Sequence, residues 1–208
     1  MNENNAVFIP KDSGTTREFS TGAHRDGAVG KGRCDLLPLI GVGKVFRRIA
    51  REYTVVRNEG LPNEYYIQQV DIVPDINAVS EVINEENARW VFIESISRFT
   101  RTHDTIHLVD AIIAAKLSLK EYKDTTFEYM FMDVSMLYEA GAIKYEANNW
   151  RKGMPLTCYL DSGMRHYFKA RTGIDDEPHY RGPIWNLLCA IWTAENIHNS
   201  FDDLAIME

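Results

Sequence analysis

Tyr138-Glu139-Ala140-Gly141-Ala142-Ile143-Lys144-Tyr145, with Asn148-Asn149-Trp150-Arg151-Lys152-Gly153-Met154-Pro155 close behind, opens the stretch on which the reading of this chain turns. It continues through Asp161, four residues before Arg165-His166. It closes on Asp175-Asp176-Glu177-Pro178-His179 and Trp185-Asn186. A plain scaffold sets its polar residues on one solvated face. Here acids, cations, amides and aromatics gather at expected helix ends and loops, where binding groups usually sit. Pro155 suits the first turn of a helix over 156–171, and Gly173 suits its end. Asp161 and Arg165 share a face of that helix, and His166 points to the neighbouring side. A last helix spans roughly 179–196, with Ile184, Leu188 and Ile191 toward the core and Trp185 and Trp192 beside them. His179 and Asn186, seven apart, align on another of its faces.

Working back toward the N-terminus, a helix is expected to begin near Thr126 and pass through Met136 and Tyr138 into Glu139. Before it, Asp104 can cap a helix through Ile112 to about Tyr122. Helical spacing over 76–99 rests on Val79, Val82, Ile83, Trp90, Val91, Ile93 and Ile96. Tyr53 to Val56 and Tyr65 to Val73 are rich in β-formers and are separated by Asn58 to Asn63, which predicts a small hairpin ended by Pro74. A helix over 39–53 carries Ile40, Val45, Phe46 and Ile49 on one side. Its other side carries Lys44, Arg47, Arg48 and Arg51, a solvated face or a set of phosphate contacts. Residues 1–18 read as a flexible arm, 20–35 as a glycine-broken loop, and the acidic tail from Phe201 as fraying. The fold class expected is mainly α: one helical domain over 19–208, with a small β-hairpin in an insertion at about 52–134.

At 208 residues and 45% hydrophobic content, the chain can bury one core. Its net charge of −7 argues against duplex nucleic acid, which requires clustered Lys and Arg. A small anionic ligand in a local cationic pocket remains open. Cys34, Cys158 and Cys189 are far apart and form no CxxC pair, as in a reducing compartment. No apolar run reaches the length of a membrane span, and the N-terminus lacks a signal pattern. The expected setting is cytoplasmic.

The stretch 138–186, together with Phe19-Ser20-Thr21-Gly22-Ala23, Arg25-Asp26, Gly30-Lys31-Gly32-Arg33 and Asp35-Leu36-Leu37-Pro38, resembles the phage and prophage family of dATP/dGTP diphosphohydrolase N-terminal domains. The shared pattern is a Glu-x-Gly-x-x-Lys-Tyr run, an Asn-Trp-x-x-Gly turn, Asp-x-x-x-Arg-His, and an acid before His leading to Trp-Asn. Residues from about Glu52 to Val134 have no counterpart in short members of the family. The resemblance implies release of pyrophosphate from purine deoxynucleoside triphosphates in the cytoplasm of an infected cell. By analogy with other helical nucleotide hydrolases, it also implies a homo-oligomer.

Such chemistry needs neutralised phosphates and an activated water, which hard divalent ions such as Mg²⁺ or Mn²⁺ supply through oxygen ligands. Under the resemblance, the catalytic candidates are Glu139, Asp161, His166, Asp176 and His179, with Glu177 a further acid. The metal candidates are Glu139, Asp161, Asp175 and Asp176. Lys144, Arg151, Lys152 and Arg165 are candidate phosphate contacts. Tyr145 and Trp150 can stack a base, Asn149 can read its edge, and Asn186 completes the binding set. Arg25, Lys31 and Arg33 offer charge from a glycine loop folding over the same pocket. That loop lacks the spacing of a P-loop.

Each assignment has a plainer counterpart. Asp161–Arg165 can be a surface pair, Trp150 a core residue, and Asp175-Asp176-Glu177 favourable charge at a helix N-terminus. His166 and His179 can be structural histidines, and 20–35 a turn-rich connector. His103, His107 and Asp110, at i, i+4 and i+7, would share a helix face with metal-ligand spacing, or simply begin an exposed helix. Beside the hydrolase, two other functions fit the sequence. One is a module that binds a nucleotide, for example a host defence signal, without cleaving it. The other is a protein-interaction role.

Overall fold

Apolar residues crowd every side of Ile106–Ser118, so this helix has no face to give to water and must be enclosed. The computed structural model describes residues 16–26, 29–49, 53–57, 65–69, 83 and 85–204. In chain order these form β1 (Thr16–Glu18), β2 (His24–Asp26), α1 (Leu39–Ile49), β3 (Tyr53–Arg57), β4 (Tyr65–Gln69), α2 (Ala88–Thr102), α3 (Ile106–Ser118), α4 (Phe127–Lys144), α5 (Leu156–Thr172) and α6 (Arg181–Asn196). Short 3-10 turns lie at Cys34–Leu36 and Asn149–Lys152. The fold is mainly α. Among the described residues, no helix is long and apolar enough to cross a membrane.

Helix α3 is enclosed by α2, α6 and α1, and α6 by α5, α3, α4 and α1. Leu108, Val109, Ile112, Ala114 and Ala115 of α3 are wholly buried, as are Ile184, Leu187, Leu188 and Ile191 of α6. The stretch read as an insertion thus contributes a central helix. Lys116 shares the burial of α3. Its ammonium reaches the Lys123 carbonyl at 3.2 Å and lies 5.3 Å from the centre of the Phe127 ring. Burial pulls its pKa down.

The caps follow local chemistry. Asp104 accepts from the Ile106 amide at 2.9 Å ahead of α3, and Thr126 accepts from the Tyr129 amide at 3.2 Å at the start of α4. Gly173 ends α5 in the left-handed conformation, φ 78°. Helix α5 starts at Leu156 as expected, but its N-terminus is capped from a distance. Asp203 accepts from the amides of Leu156 (3.2 Å) and Thr157 (2.7 Å), and from the Thr157 hydroxyl (2.6 Å). That contact, with Leu204 buried and Phe201 facing Phe99, corrects the reading of residues 201–204 as a fraying tail.

Two antiparallel hairpins are present. β3 and β4 pair Tyr53 with Gln69 and Arg57 with Tyr65, at the expected place in the insertion. β1 and β2 pair Thr16 with Asp26 and Glu18 with His24. This second hairpin corrects two readings, of 16–18 as part of an arm and of 20–35 as loop throughout. The signal was short: the turn closes through the Gly22 amide on the Phe19 carbonyl at 2.8 Å, with Gly22 at φ 78°. The arm before residue 16, the turn at 58–63, the helical stretch at 76–82 and the tail from 205 lie outside the described residues.

One buried ion pair locks α4 to α6. Arg181 donates to Asp133 through two nitrogens, at 2.9 and 2.6 Å, and the Tyr122 hydroxyl donates to the same carboxylate at 2.7 Å. Both charged side chains are largely withdrawn from water. Asp133→Ala leaves the guanidinium buried and unpaired, and a loss of about 2–4 kcal/mol is expected in urea unfolding. An Asp133→Ala variant as stable as the parent would show that the pair contributes nothing.

Candidate functional site

The glycines of the first block decide what α4 presents. Gly30 and Gly32 both take φ 77°, which turns their amides to one side. The Gly30 amide donates to one oxygen of Glu139 at 2.6 Å and the Gly32 amide to the other at 2.7 Å. The Glu139 carboxylate is buried in a small backbone nest of the kind that holds anions. The Arg33 amide adds a bond to the Ser135 carbonyl at 3.1 Å. Gly32 lies so close to α4 that a Cβ there would run into the Ser135 side chain. Arg33 itself is paired with Asp35 through two contacts of 2.7 Å. The hydrogen bond from Arg33 holds Asp35 below the usual carboxylate range. Arg25 and Lys31 are exposed.

The same docking brings Leu36 to the wall of a cavity of about 450 Å³ between the end of α4, the turn at Asn149–Lys152 and Trp185 of α6. Tyr138, Gly141 and Tyr145 line it from one face of α4, at i, i+3 and i+7. Trp150 is buried, edge-on to Tyr138 at 6.1 Å and to Trp192 at 5.2 Å. Tyr145 stands exposed at the mouth with the Lys144 ammonium 5.1 Å from its ring centre. Lys152 is there too, paired with Glu146. Three wall residues carry a buried polar atom with no hydrogen-bond partner among the described residues: the indole nitrogens of Trp150 and Trp185, and the Asn148 amide oxygen. Buried polar groups are rarely left unpaired in native proteins. The walls thus combine aromatic surface with two unmet donors and one unmet acceptor.

A second cluster lies on the α5/α6 seam. His166 Nδ1 is 2.9 Å from His179 Nδ1. Glu177 Oε1 is 3.2 Å from His179 Nδ1 and 3.7 Å from His166 Nδ1. His179 Nε2 meets Asp176 Oδ1 at 2.5 Å, and Lys169 approaches Asp176 at 3.6 Å. Burial pushes His166 below the usual histidine range, with Glu177 opposing and His179, Arg165 and Lys169 reinforcing the shift. The hydrogen bond from His179 lowers Asp176. A Cβ on Gly182 would collide with the His166 side chain, 2.4 Å from its Cγ, so this glycine admits the ring against α6. Asn186, buried, donates to the Gly182 carbonyl at 2.8 Å.

The expected residues therefore divide. Tyr145, Asn149, Trp150 and Lys152 line the cavity and Lys144 flanks it. His166, Asp176 and His179 form the second cluster. Asp161 is exposed and paired with Arg165 at 3.1 Å, and Asp175 is exposed. Glu139, Asp161, Asp175 and Asp176 do not meet at one point. The acids and histidines that converge among the described residues are His166, Glu177 and His179. The spacing read for His103, His107 and Asp110 is corrected. His103 ends α2 in the left-handed conformation and stacks on Phe201, while Asp110 of α3 pairs with Arg48 at 2.7 Å. Tyr138, Asn148 and Trp185, part of the same stretch, are walls of the cavity as well. The helical spacing of Tyr138 from Tyr145 is the signal for α4; Trp185 belongs to the quoted pattern, but no local spacing says that it faces the cavity.

Residues 115–204 match the family described as dATP/dGTP diphosphohydrolase, N-terminal, in agreement with the resemblance carried by 138–186. The match takes in the end of α3 and all of α4 to α6; the glycine block lies outside it. No curated protein and no solved structure matches the chain.

Glu139→Gln turns one acceptor of the nest into a donor facing an amide. A loss of about 1–3 kcal/mol is expected in urea unfolding, with faster hydrogen exchange at the Gly30 and Gly32 amides. Unchanged exchange at both would show that the loop is held by other contacts.

Proposed function

We propose, from the family match of residues 115–204, that the chain takes a purine (deoxy)nucleoside triphosphate and acts as a diphosphohydrolase releasing the monophosphate and pyrophosphate. The observation that carries the binding half is the aromatic cavity with its unmet polar atoms. A nucleobase offers ring-nitrogen acceptors for the two indole N–H groups, an amino donor for the Asn148 oxygen, and flat faces for Tyr138, Tyr145 and Trp150. Lys144 and Lys152 at the mouth give the phosphates cationic partners. The hydrolytic half rests on the family alone.

Mg²⁺ or Mn²⁺ fits this reading as an ion carried largely by the triphosphate's own oxygens, with Glu146 the carboxylate at the mouth. When bound, it would neutralise phosphate charge and favour attack by water. The chain's own residues stack the base, satisfy its edge and hold the phosphates outside the apolar walls. A homo-oligomer in the cytoplasm of a phage-infected cell completes the reading.

A second reading, binding without cleavage, is favoured by one observation. The carboxylates of Glu139 and Asp161 are already taken, by the glycine amides and by Arg165. Incubation with dATP or dGTP and Mg²⁺ or Mn²⁺, followed by separation of the nucleotides, distinguishes the two. Monophosphate is expected under the first and intact bound triphosphate under the second. In calorimetry, Tyr145→Ala, an exposed change the fold tolerates, is expected to weaken binding about 5- to 150-fold, the equivalent of one lost base stack. Absence of binding for every purine nucleotide would overturn both.

A further inference from the structure

We propose that His166, Glu177 and His179 form a binding site for one divalent transition-metal ion, Zn²⁺ being the ion that two imidazole nitrogens and one carboxylate oxygen suit best. The first argument is distance. Zinc bonds of about 2.0–2.1 Å place tetrahedral ligand atoms about 3.3 Å apart. The three atoms here are separated by 2.9, 3.2 and 3.7 Å, which brackets that value. A single ion can therefore reach all three with small side-chain shifts.

The second argument is the count of hydrogens. Asp176 accepts from His179 Nε2, so that nitrogen carries the proton. The Nδ1 of a neutral His179 is then a bare lone pair. His166 Nδ1 can offer it one hydrogen, but Glu177 Oε1 points at the same spot with none to give. With its own hydrogen on Nε2, His166 leaves three lone pairs toward this point, the donor set that a cation takes up.

The surroundings are those of a built site. The His179 side chain is 1% exposed, His166 25% and Glu177 55%, so the ion would have a buried back and an open front. Asp176 behind His179 is the carboxylate that orients a ligating histidine and raises its basicity. Gly182 removes the Cβ that would expel the His166 ring. Three protein ligands leave a coordination position free, as in catalytic rather than structural zinc sites. Glu177 and His179 border a groove of about 730 Å³ that Lys120 and Arg171 also line, which suits an anionic oxygen as the remaining ligand. Nitrogen donors disfavour Mg²⁺ and Ca²⁺, so this site is of another type from the all-oxygen one expected for phosphate hydrolysis. It is also apart from the aromatic cavity, whose lining includes none of the three residues.

The test uses the full chain, stripped with a chelator and without nucleotide, so that its outcome is independent of the cavity reading. Calorimetry with Zn²⁺ is expected to give one ion per chain, undisturbed by millimolar Mg²⁺. Cu²⁺ added to the unmodified chain is expected to show nitrogen couplings in its electron paramagnetic resonance spectrum. Glu177→Gln, an exposed change, and His166→Gln are each expected to weaken Zn²⁺ at least tenfold. Asp176→Asn is expected to weaken it about 10- to 100-fold, while Glu94→Gln on α2 leaves it unchanged. Substoichiometric binding, a Cu²⁺ spectrum without nitrogen couplings, or equal affinity in the Glu177 and His166 variants would overturn the site.

Discussion

A helix with no polar face dictates the arrangement of its neighbours. α3 carries apolar residues on every side, broken by His107, Asp110 and Lys116, and burying such a surface is the main favourable term available to a chain of this size. The chain meets the demand by wrapping α1, α2 and α6 around it. Since α6 is in turn enclosed, α4 and α5 are drawn onto its remaining faces. Everything with chemical character lies on the seams this leaves. The cavity opens between α4 and α6, and the histidines meet where α5 crosses the start of α6.

Polar groups buried by this packing are paired locally, which limits what they can do. Asp133 is held by Arg181 and Tyr122, and Glu139 by two glycine amides. The nest at Gly30 and Gly32 is the kind of anion receptor often found around phosphate, but here the anion is supplied by the chain itself. Its role is to pin the first block to α4 and bring Leu36 to the cavity wall. The cavity and the histidine cluster are the two places arranged to take a ligand. In the first, indole donors and an amide acceptor lack partners; in the second, two imidazole nitrogens and a carboxylate oxygen converge. Unpaired polar atoms in the one and converging ligand atoms in the other are what a partner would satisfy.

The two places also differ in the ligands they suit. Aromatic walls with a cationic mouth favour a flat heterocycle carrying phosphates. Imidazoles backed by a carboxylate favour a borderline metal ion. The cluster is built from α5 and the turn before α6, and the cavity takes Trp185 from α6 itself, so a change at one need not disturb the other.

The sequence by itself determined the mainly α character, the course of α4, α5 and α6, the hairpin at β3 and β4, and the residues able to bind. Periodicity, Pro155, Gly173, Thr126 and Asp104 act over a few residues, and local patterns report local structure. It also determined that Tyr145, Asn149, Trp150 and Lys152 belong together, because they are close along the chain. Only the tertiary structure decided that Asp161 turns to Arg165 while His166 turns to His179, that Glu139 is spent on Gly30 and Gly32, and that Asp203 caps α5. Each of these depends on which seam a helix face meets. That is set by how α3 and α6 are enclosed, through contacts between residues tens of positions apart that no local spacing encodes.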